Sequence, residues 1–175
     1  MFLLKQYPEY IFNFEGAVKY AWMKEYYPAQ YEEMKKFIES GRWHISGASW
    51  DATDTLVPSI ESAIRNIMLG QDYYRKEFGV ESTDIFLPDC FGFGWTLPAI
   101  ASHCGLIGFS SQKLQWRNKP FYGNDKYPFT VGLWQGIDGS TIMMTHGYDY
   151  NQRFEDGNLS ENKDLLELTG HSPLH

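Results

Sequence analysis

Apolar residues along this chain change their spacing several times, and each change marks a predicted element. Tyr10-Ile11-Phe12-Asn13-Phe14 reads as a strand, and Gly16 to Tyr26 as a helix ended by Pro28. The same proline suits the first turn of the next helix, where Tyr31, Met34 and Ile38 recur at helical spacing before Gly41 stops it. Trp43 to Ser46 is a short strand, followed by a loop from Gly47 to Val57. Pro58 to Phe78 is the clearest helix: Ile60, Ile64, Ile67 and Met68 share one face, and Gly79 closes it. Ile85 to Leu87 reads as a buried strand, Leu97 to His103 as a helix stopped by Gly105, and Leu106 to Ser110 as another strand. Val131 to Trp134 and Thr141 to Met144 flank the Gly-rich turn Gln135 to Ser140, which predicts a hairpin.

Strand–helix alternation predicts an α/β fold of parallel strands with right-handed crossovers. It does not separate an open sheet from a barrel. The specific expectation is that Phe12, Ile45, Phe86 and Ile107 lie on adjacent parallel strands. Both ends of the pattern look cut. Phe2 to Tyr7 looks like the end of a helix, and no covering helix follows the last strand. Arg117 to Pro128 reads as a polar surface loop, and the weakly patterned stretch from Arg153 onward as a loop or frayed tail.

Composition narrows the function classes. A 175-residue chain that is 43% hydrophobic has enough for one real core. A formal net charge of -7 argues against nucleic acid or an anionic membrane as partner. No apolar run is long enough to span a bilayer. Met1-Phe2-Leu3-Leu4-Lys5-Gln6-Tyr7 turns polar too soon for a secretory signal. Cys90 and Cys104 form neither a CxxC pair nor a disulfide framework, so a reducing, cytoplasmic location is expected. Aromatics reach 17%, which suits packing against the flat C–H faces of a sugar, although most are expected in the core.

The candidate chemistry sits in Ile85-Phe86-Leu87-Pro88-Asp89-Cys90-Phe91-Gly92-Phe93-Gly94-Trp95. A short strand ends at a carboxylate, and an aromatic, glycine-rich turn follows. In α/β barrels the C-terminal strand edge carries the chemistry, because the βα loops converge there on a rigid scaffold. A carboxylate walled by Phe91, Phe93 and Trp95 suits a site that binds a ring and stabilises positive charge. A helix cap followed by core aromatics is the plainer alternative.

Several ordered motifs then carry a family resemblance. They are Tyr7-Pro8-Glu9-Tyr10-Ile11-Phe12, Glu25-Tyr26-Tyr27-Pro28, Gly41-Arg42-Trp43, and Gly70-Gln71-Asp72-Tyr73-Tyr74 before Phe78-Gly79-Val80. Leu87-Pro88-Asp89-Cys90-Phe91-Gly92, Ser111-Gln112-Lys113-Leu114 and Trp134-Gln135-Gly136-Ile137-Asp138-Gly139-Ser140 continue in order. Together they resemble the N-terminal catalytic domain of the glycoside hydrolase family 38 α-mannosidases, over roughly Phe2 to Tyr150. The resemblance implies a partial (β/α) barrel of the seven-stranded glycoside hydrolase/deacetylase type over residues 1–150, with 151–175 a polar tail. It implies zinc-assisted, retaining hydrolysis of terminal α-mannosides in the full-length parent. Asp89 matches the nucleophile, which in the family also ligates zinc. Phe91 matches a ring-contacting aromatic, Tyr148-Asp149 a sugar-contacting pair, and Lys113 a basic residue near the nucleophile.

Departures from the family pattern limit what the chain alone is expected to do. The family's zinc site opens with a His-x-Asp motif on the first strand, and none precedes Tyr10. Its remaining histidine ligand and its general acid belong further along than this chain reaches. His44, His103, His146 and His171 do not match those ligands. Asp89 alone cannot make a zinc site, which needs three or four protein ligands. Asp51 and Asp54 in the loop after Trp43 to Ser46, and Glu15 past the first strand, are candidates for lining the sugar site or for plain solvation. Cys90 reads as a small neighbour of Asp89 without a base to activate it, and Trp134 as sheet packing. The expectation is an α-mannosidase domain with an incomplete site; the alternative is an inactive remnant that persists as a folded or self-associating module. Open strand edges favour self-association.

Overall fold

The computed structural model describes residues 1–112 and 131–146, with only the backbone of His146. Six strands fall into two sheets. β1 (Phe12–Phe14) pairs in parallel with β2 (Trp43–Ile45). The other sheet has the order β3-β4-β6-β5, from β3 (Asp84–Phe86), β4 (Gly108–Ser111), β5 (Val131–Gln135) and β6 (Thr141–His146). β3, β4 and β6 are parallel, and β5 returns antiparallel at the edge. The predicted hairpin is therefore present, but its second strand inserts between β4 and β5 and so extends the parallel set. The helices are α1 (Phe2–Gln6), α2 (Ala17–Tyr26), α3 (Pro28–Glu39), α4 (Ile60–Phe78) and α5 (Leu97–His103).

Phe12, Ile45 and Phe86 lie in β1, β2 and β3, and the expected parallel adjacency holds for β1 with β2 and for β3 with β4, but not between β2 and β3. Ile107 falls just before β4 and is 68% exposed. β2 and β3 do not share a regular ladder, yet the chain leaving β2 reaches β3. Ala48 N–H donates to the Asp84 carbonyl at 2.8 Å, and Gly47 N–H to the Asp84 carboxylate at 2.9 Å. The two sheets are thus stitched edge to edge. Among the described residues they do not close into a barrel, and residues 151–175 lie outside that set.

Capping chemistry sets the helix ends. α3 starts on Pro28 and stops where Gly41 takes a positive φ of 74°, which lets Arg42 N–H reach back to the Phe37 carbonyl. α4 begins two residues later than the sequence suggested. Ser59 stays extended and its hydroxyl accepts from Ser62 N–H, so it is the N-cap and Pro58 lies outside. Gly79 ends α4 in the left-handed region, as expected.

Helices cover one face of the strands. Phe12, Trp43 and Ile45 pack with Tyr20, Tyr31, Met34 and Tyr74 from α2, α3 and α4. Ile85, Leu87, Phe109, Ile142 and Met144 pack with Ile67 of α4 and with Leu97, Ile100 and Ala101 of α5. Many of the aromatics are core, as expected. Their polar atoms are paired inside it: Trp43 Nε1 donates to Tyr20 Oη, Tyr20 to the Phe14 carbonyl, and Tyr74 to the Gly47 carbonyl. Burial drives the Tyr20, Tyr31 and Tyr74 hydroxyls far above the ordinary tyrosine range.

Three contacts fix how the layers meet. Gln71, buried in α4, donates from Nε2 to the Ser82 carbonyl at 2.6 Å and accepts from Ser82 N–H at 3.0 Å. It thereby sets the register of the chain entering β3. Arg42 Nη2 donates to the carbonyls of Leu4, Tyr7 and Tyr10, tying α1 and the approach to β1 onto β2. Gly70 lets α4 lie directly on backbone: a Cβ there would stand 2.1 Å from the Ala48 carbonyl oxygen.

Candidate functional site

Within each sheet the parallel strands point one way, so β1 and β2 end at one edge of their sheet, and β3, β4 and β6 at one edge of theirs. Asp89 lies there, in a turn three residues beyond β3. Leu87 N–H still donates to the Ser110 carbonyl, so the ladder is held to within two residues of the carboxylate. Asp89 is exposed and Phe91 is 56% exposed beside it. The expected trio of walling aromatics divides. Trp95 is 79% exposed, whereas Phe93 turns inward against Phe109 at 4.8 Å and Trp134 at 6.4 Å. Phe93 is a core residue because the second sheet offers it two ring edges. Trp134 is sheet packing, as expected.

Glu15, after β1, is largely buried and ion-paired with Lys19. Its Cβ sits close to Gly47, the first loop residue after Ser46. Asp54 builds a turn: its carboxylate accepts from Leu56 N–H at 2.7 Å and Val57 N–H at 3.2 Å. Asp51 accepts from Ala52 N–H, and its own backbone is held at both ends by the Asn66 side chain. So the two loop aspartates shape the loop, a role that the sequence reading missed. The sequence carries a signal for it in Asp54-Thr55-Leu56-Val57-Pro58, a turn-forming aspartate ahead of a proline.

Cys90 registers the charge of this edge. Burial, chiefly, pushes its thiol above the usual cysteine range, and the negative charges of Asp54, Asp89 and Glu15 push it further. Three carboxylates from three loops thus act on one thiol. A thiol so raised is not a nucleophile, in line with the sequence reading. Cys104 is also free.

The histidines divide by position. His44 is exposed on β2 opposite Asn13, and His146 ends β6 opposite Ser111. His103, in the last turn of α5, pairs with Asp138 at 2.8 Å. Asp138 also accepts from the Ser140 hydroxyl, and Ser140 first, then His103, holds its carboxyl down at about 2. A depressed carboxyl contributes stability above its unfolded value, about 3.9, and loses it as the pH falls through the folded one. In a carbon-detected NMR titration, the Asp138 carboxyl is expected to titrate near pH 2. A midpoint near 4 would mean that the turn is open in solution.

Lys113, Tyr148, Asp149 and His171 lie outside the described residues. β6 runs parallel to β4 and so heads toward the edge that carries Asp89. Among the described residues, no three of His, Cys, Asp and Glu gather as a metal site.

A hollow of about 330 Å³ opens between β3 and the N-terminal ends of α4 and α5. Ile85, Leu87, Ile67 and Ile100 form its apolar floor, and Leu56 and Trp95 line it from the loops. Ile85 and Leu87 face the helices, so the hollow lies on the helix side of the strand and not at Asp89. No helix among the described residues is long and apolar enough to cross a membrane.

The sequence profile of the glycosyl hydrolases family 38 N-terminal domain matches residues 1–169. Alpha-mannosidase G of Dictyostelium discoideum is 40% identical over 140 residues, 80% of this chain and 12% of that protein. Alpha-mannosidase 2C1 of Homo sapiens is 32% identical over 142 residues, 81% of this chain and 13% of that protein. The chain thus spans 12–13% of the length of these curated relatives. Among solved structures, an alpha-mannosidase from Enterococcus faecalis V583 superposes with a TM-score of 0.69 at 21% identity, covering 82% of this chain and 16% of that one. A 4-alpha-glucanotransferase from Thermococcus litoralis gives 0.65 at 17% identity, covering 82% and 22%. Likeness at that identity speaks for the fold alone.

Proposed function

Because the chain belongs to glycosyl hydrolase family 38, we propose that it forms part of the catalytic barrel of an α-mannosidase, with Asp89 as the nucleophile. The observation that carries this reading is the position of Asp89, exposed beside Phe91 at the C-terminal edge of a parallel strand set. That edge is where α/β scaffolds do chemistry. The proposed reaction is retaining. The Asp89 carboxylate attacks the anomeric carbon, the bond to the leaving oxygen breaks, and a separate acid protonates that oxygen. Water, deprotonated by the same group, then releases the sugar with its original configuration. That second group stands about 5–5.5 Å from the nucleophile in such enzymes.

Phe91 offers a face to the ring, and the neighbouring carboxylates favour the positive charge that develops on it. Lys113, Tyr148 and Asp149 remain the proposed substrate contacts. Zinc, when bound, would help hold the sugar hydroxyls. Asp89 is its proposed ligand here, and the remaining ligands and the acid come from outside the described residues. The activity is therefore proposed for a protein in which this domain is completed, and the 175 residues alone are expected to turn over no mannoside. A second reading, a self-associating module, is favoured by Leu133 and Met143. They pair across β5 and β6 on the face that the described helices leave uncovered, at 72% and 57% exposure.

The test is the stereochemistry of the first product. NMR of an aryl α-mannoside during hydrolysis by the completed enzyme is expected to show α-mannose before mutarotation. First appearance of β-mannose would exclude a nucleophilic role for Asp89, because an inverting enzyme uses no covalent intermediate.

A further inference from the structure

The loop that follows β2 does more than cross the strand edge. Asp54 folds Thr55, Leu56 and Val57 into a tight turn through its bonds to two backbone amides. That turn presents Thr55 to the loop bearing Asp89, where the Thr55 hydroxyl donates to the Gly92 carbonyl at 2.8 Å. Two residues earlier, the Thr53 carbonyl accepts from Cys90 Sγ at 3.1 Å. Leu56 fills the space a side chain at Gly92 would take: a Cβ there would stand 2.7 Å from Leu56 Cδ1. The two bonds hold Cys90 and Gly92, the first and third residues after Asp89, and both span 37 residues of sequence. They come from a loop that is itself anchored on α4 through Asp51 and Asn66.

We infer that Thr55 is a positioning residue for Asp89: through Gly92 it clamps the nucleophile loop to the loop that Asn66 of α4 anchors. The inference rests on the mannosidase reading for its catalytic consequence, but the clamp itself is a statement about the loop. A carboxylate that must attack one carbon loses rate when its loop wanders, even where binding is unchanged. Asp54 acts one step further back, by shaping the turn that carries Thr55.

Two measurements separate the clamp from the mannosidase assignment. In the 175-residue chain, Thr55→Val keeps the shape and removes the hydroxyl. It is expected to move the Gly92 carbonyl carbon resonance upfield, toward that of an unbonded carbonyl, because the bond removed is one that this carbonyl accepts. Carbonyl resonances in the centre of α4 should stay unchanged, and Thr55→Ser should restore the Gly92 position. An unchanged Gly92 resonance, or an equal change along α4, would overturn the clamp. In the completed enzyme, Thr55→Val is expected to lower kcat with KM kept within about twofold, and Thr55→Ser to recover it. A loosened loop with full kcat would show that the clamp does not serve Asp89. If Asp89→Asn leaves turnover intact while Thr55→Val still loosens the loop, the nucleophile assignment fails and the clamp stands.

Discussion

Asp89→Asn is expected to abolish hydrolysis of an aryl α-mannoside by the completed enzyme, lowering kcat by on the order of 10³-fold or more. The amide matches the carboxylate in shape but is not a nucleophile, so no glycosyl-enzyme bond can form. The loss should be confined to chemistry. Asp89 is exposed in a turn, and surface replacements of this kind stay within about 0.5 kcal/mol. Urea unfolding of the variant should therefore superpose on that of the parent chain. A rate within about tenfold of the parent would refute the nucleophile assignment. A loss of rate with a collapsed unfolding midpoint would show instead that Asp89 holds the turn together.

The second large effect is on stability. Gly70→Ala is expected to destabilise the fold by about 3 kcal/mol or more, at the upper end of what an overpacked interior costs. Propensity alone predicts the opposite sign, since alanine in a helix interior is favoured over glycine by about 1 kcal/mol. Contact decides. An added Cβ would lie 2.1 Å from the Ala48 carbonyl oxygen, 2.4 Å from the Ser49 carbonyl carbon and 2.7 Å from Trp50 N. These are backbone atoms, and the same segment is bonded to β3 at Asp84 and to α4 at Asn66. It cannot retreat without breaking those bonds. A neutral or stabilising result in urea would mean that the 48–50 segment does not press on α4 in solution.

The elements were legible where one local signal was strong. Pro28, Gly41 and Gly79 mark helix limits by backbone preference alone, and Tyr31, Met34 and Ile38 show the buried face of α3. Asp89 was legible because an apolar strand breaks at Pro88. What the sequence could not show depends on pairing across long separations. That β6 slips between β4 and β5 is set by the register of Gly108 with Met143. No local pattern distinguishes that from a plain hairpin. Asp51 and Asp54 were left open between lining the site and plain solvation, because composition cannot tell a side chain that meets solvent from one that bonds its own loop. Phe93 looked like its neighbours Phe91 and Trp95 until Phe109 and Trp134 were seen to claim it. Gly70 was legible only as part of a motif, since its reason lies 22 residues away at Ala48.

One helix belongs to both interiors. Ile67 of α4 sits among Ile85, Phe109 and Ile142, and Tyr74, two turns later, sits among Tyr20, Tyr31 and Trp43. Neither sheet can therefore melt privately. Freeing the first strand pair strips α4 of half its buried stripe, and the other half must then hold a 19-residue helix by itself. The shared helix couples the two sheets among the described residues, so they are expected to unfold together. The Asp89 edge inherits that indivisibility: a lesion far from it, under Tyr20 or Tyr74, is felt there as loss of the whole population of folded chains.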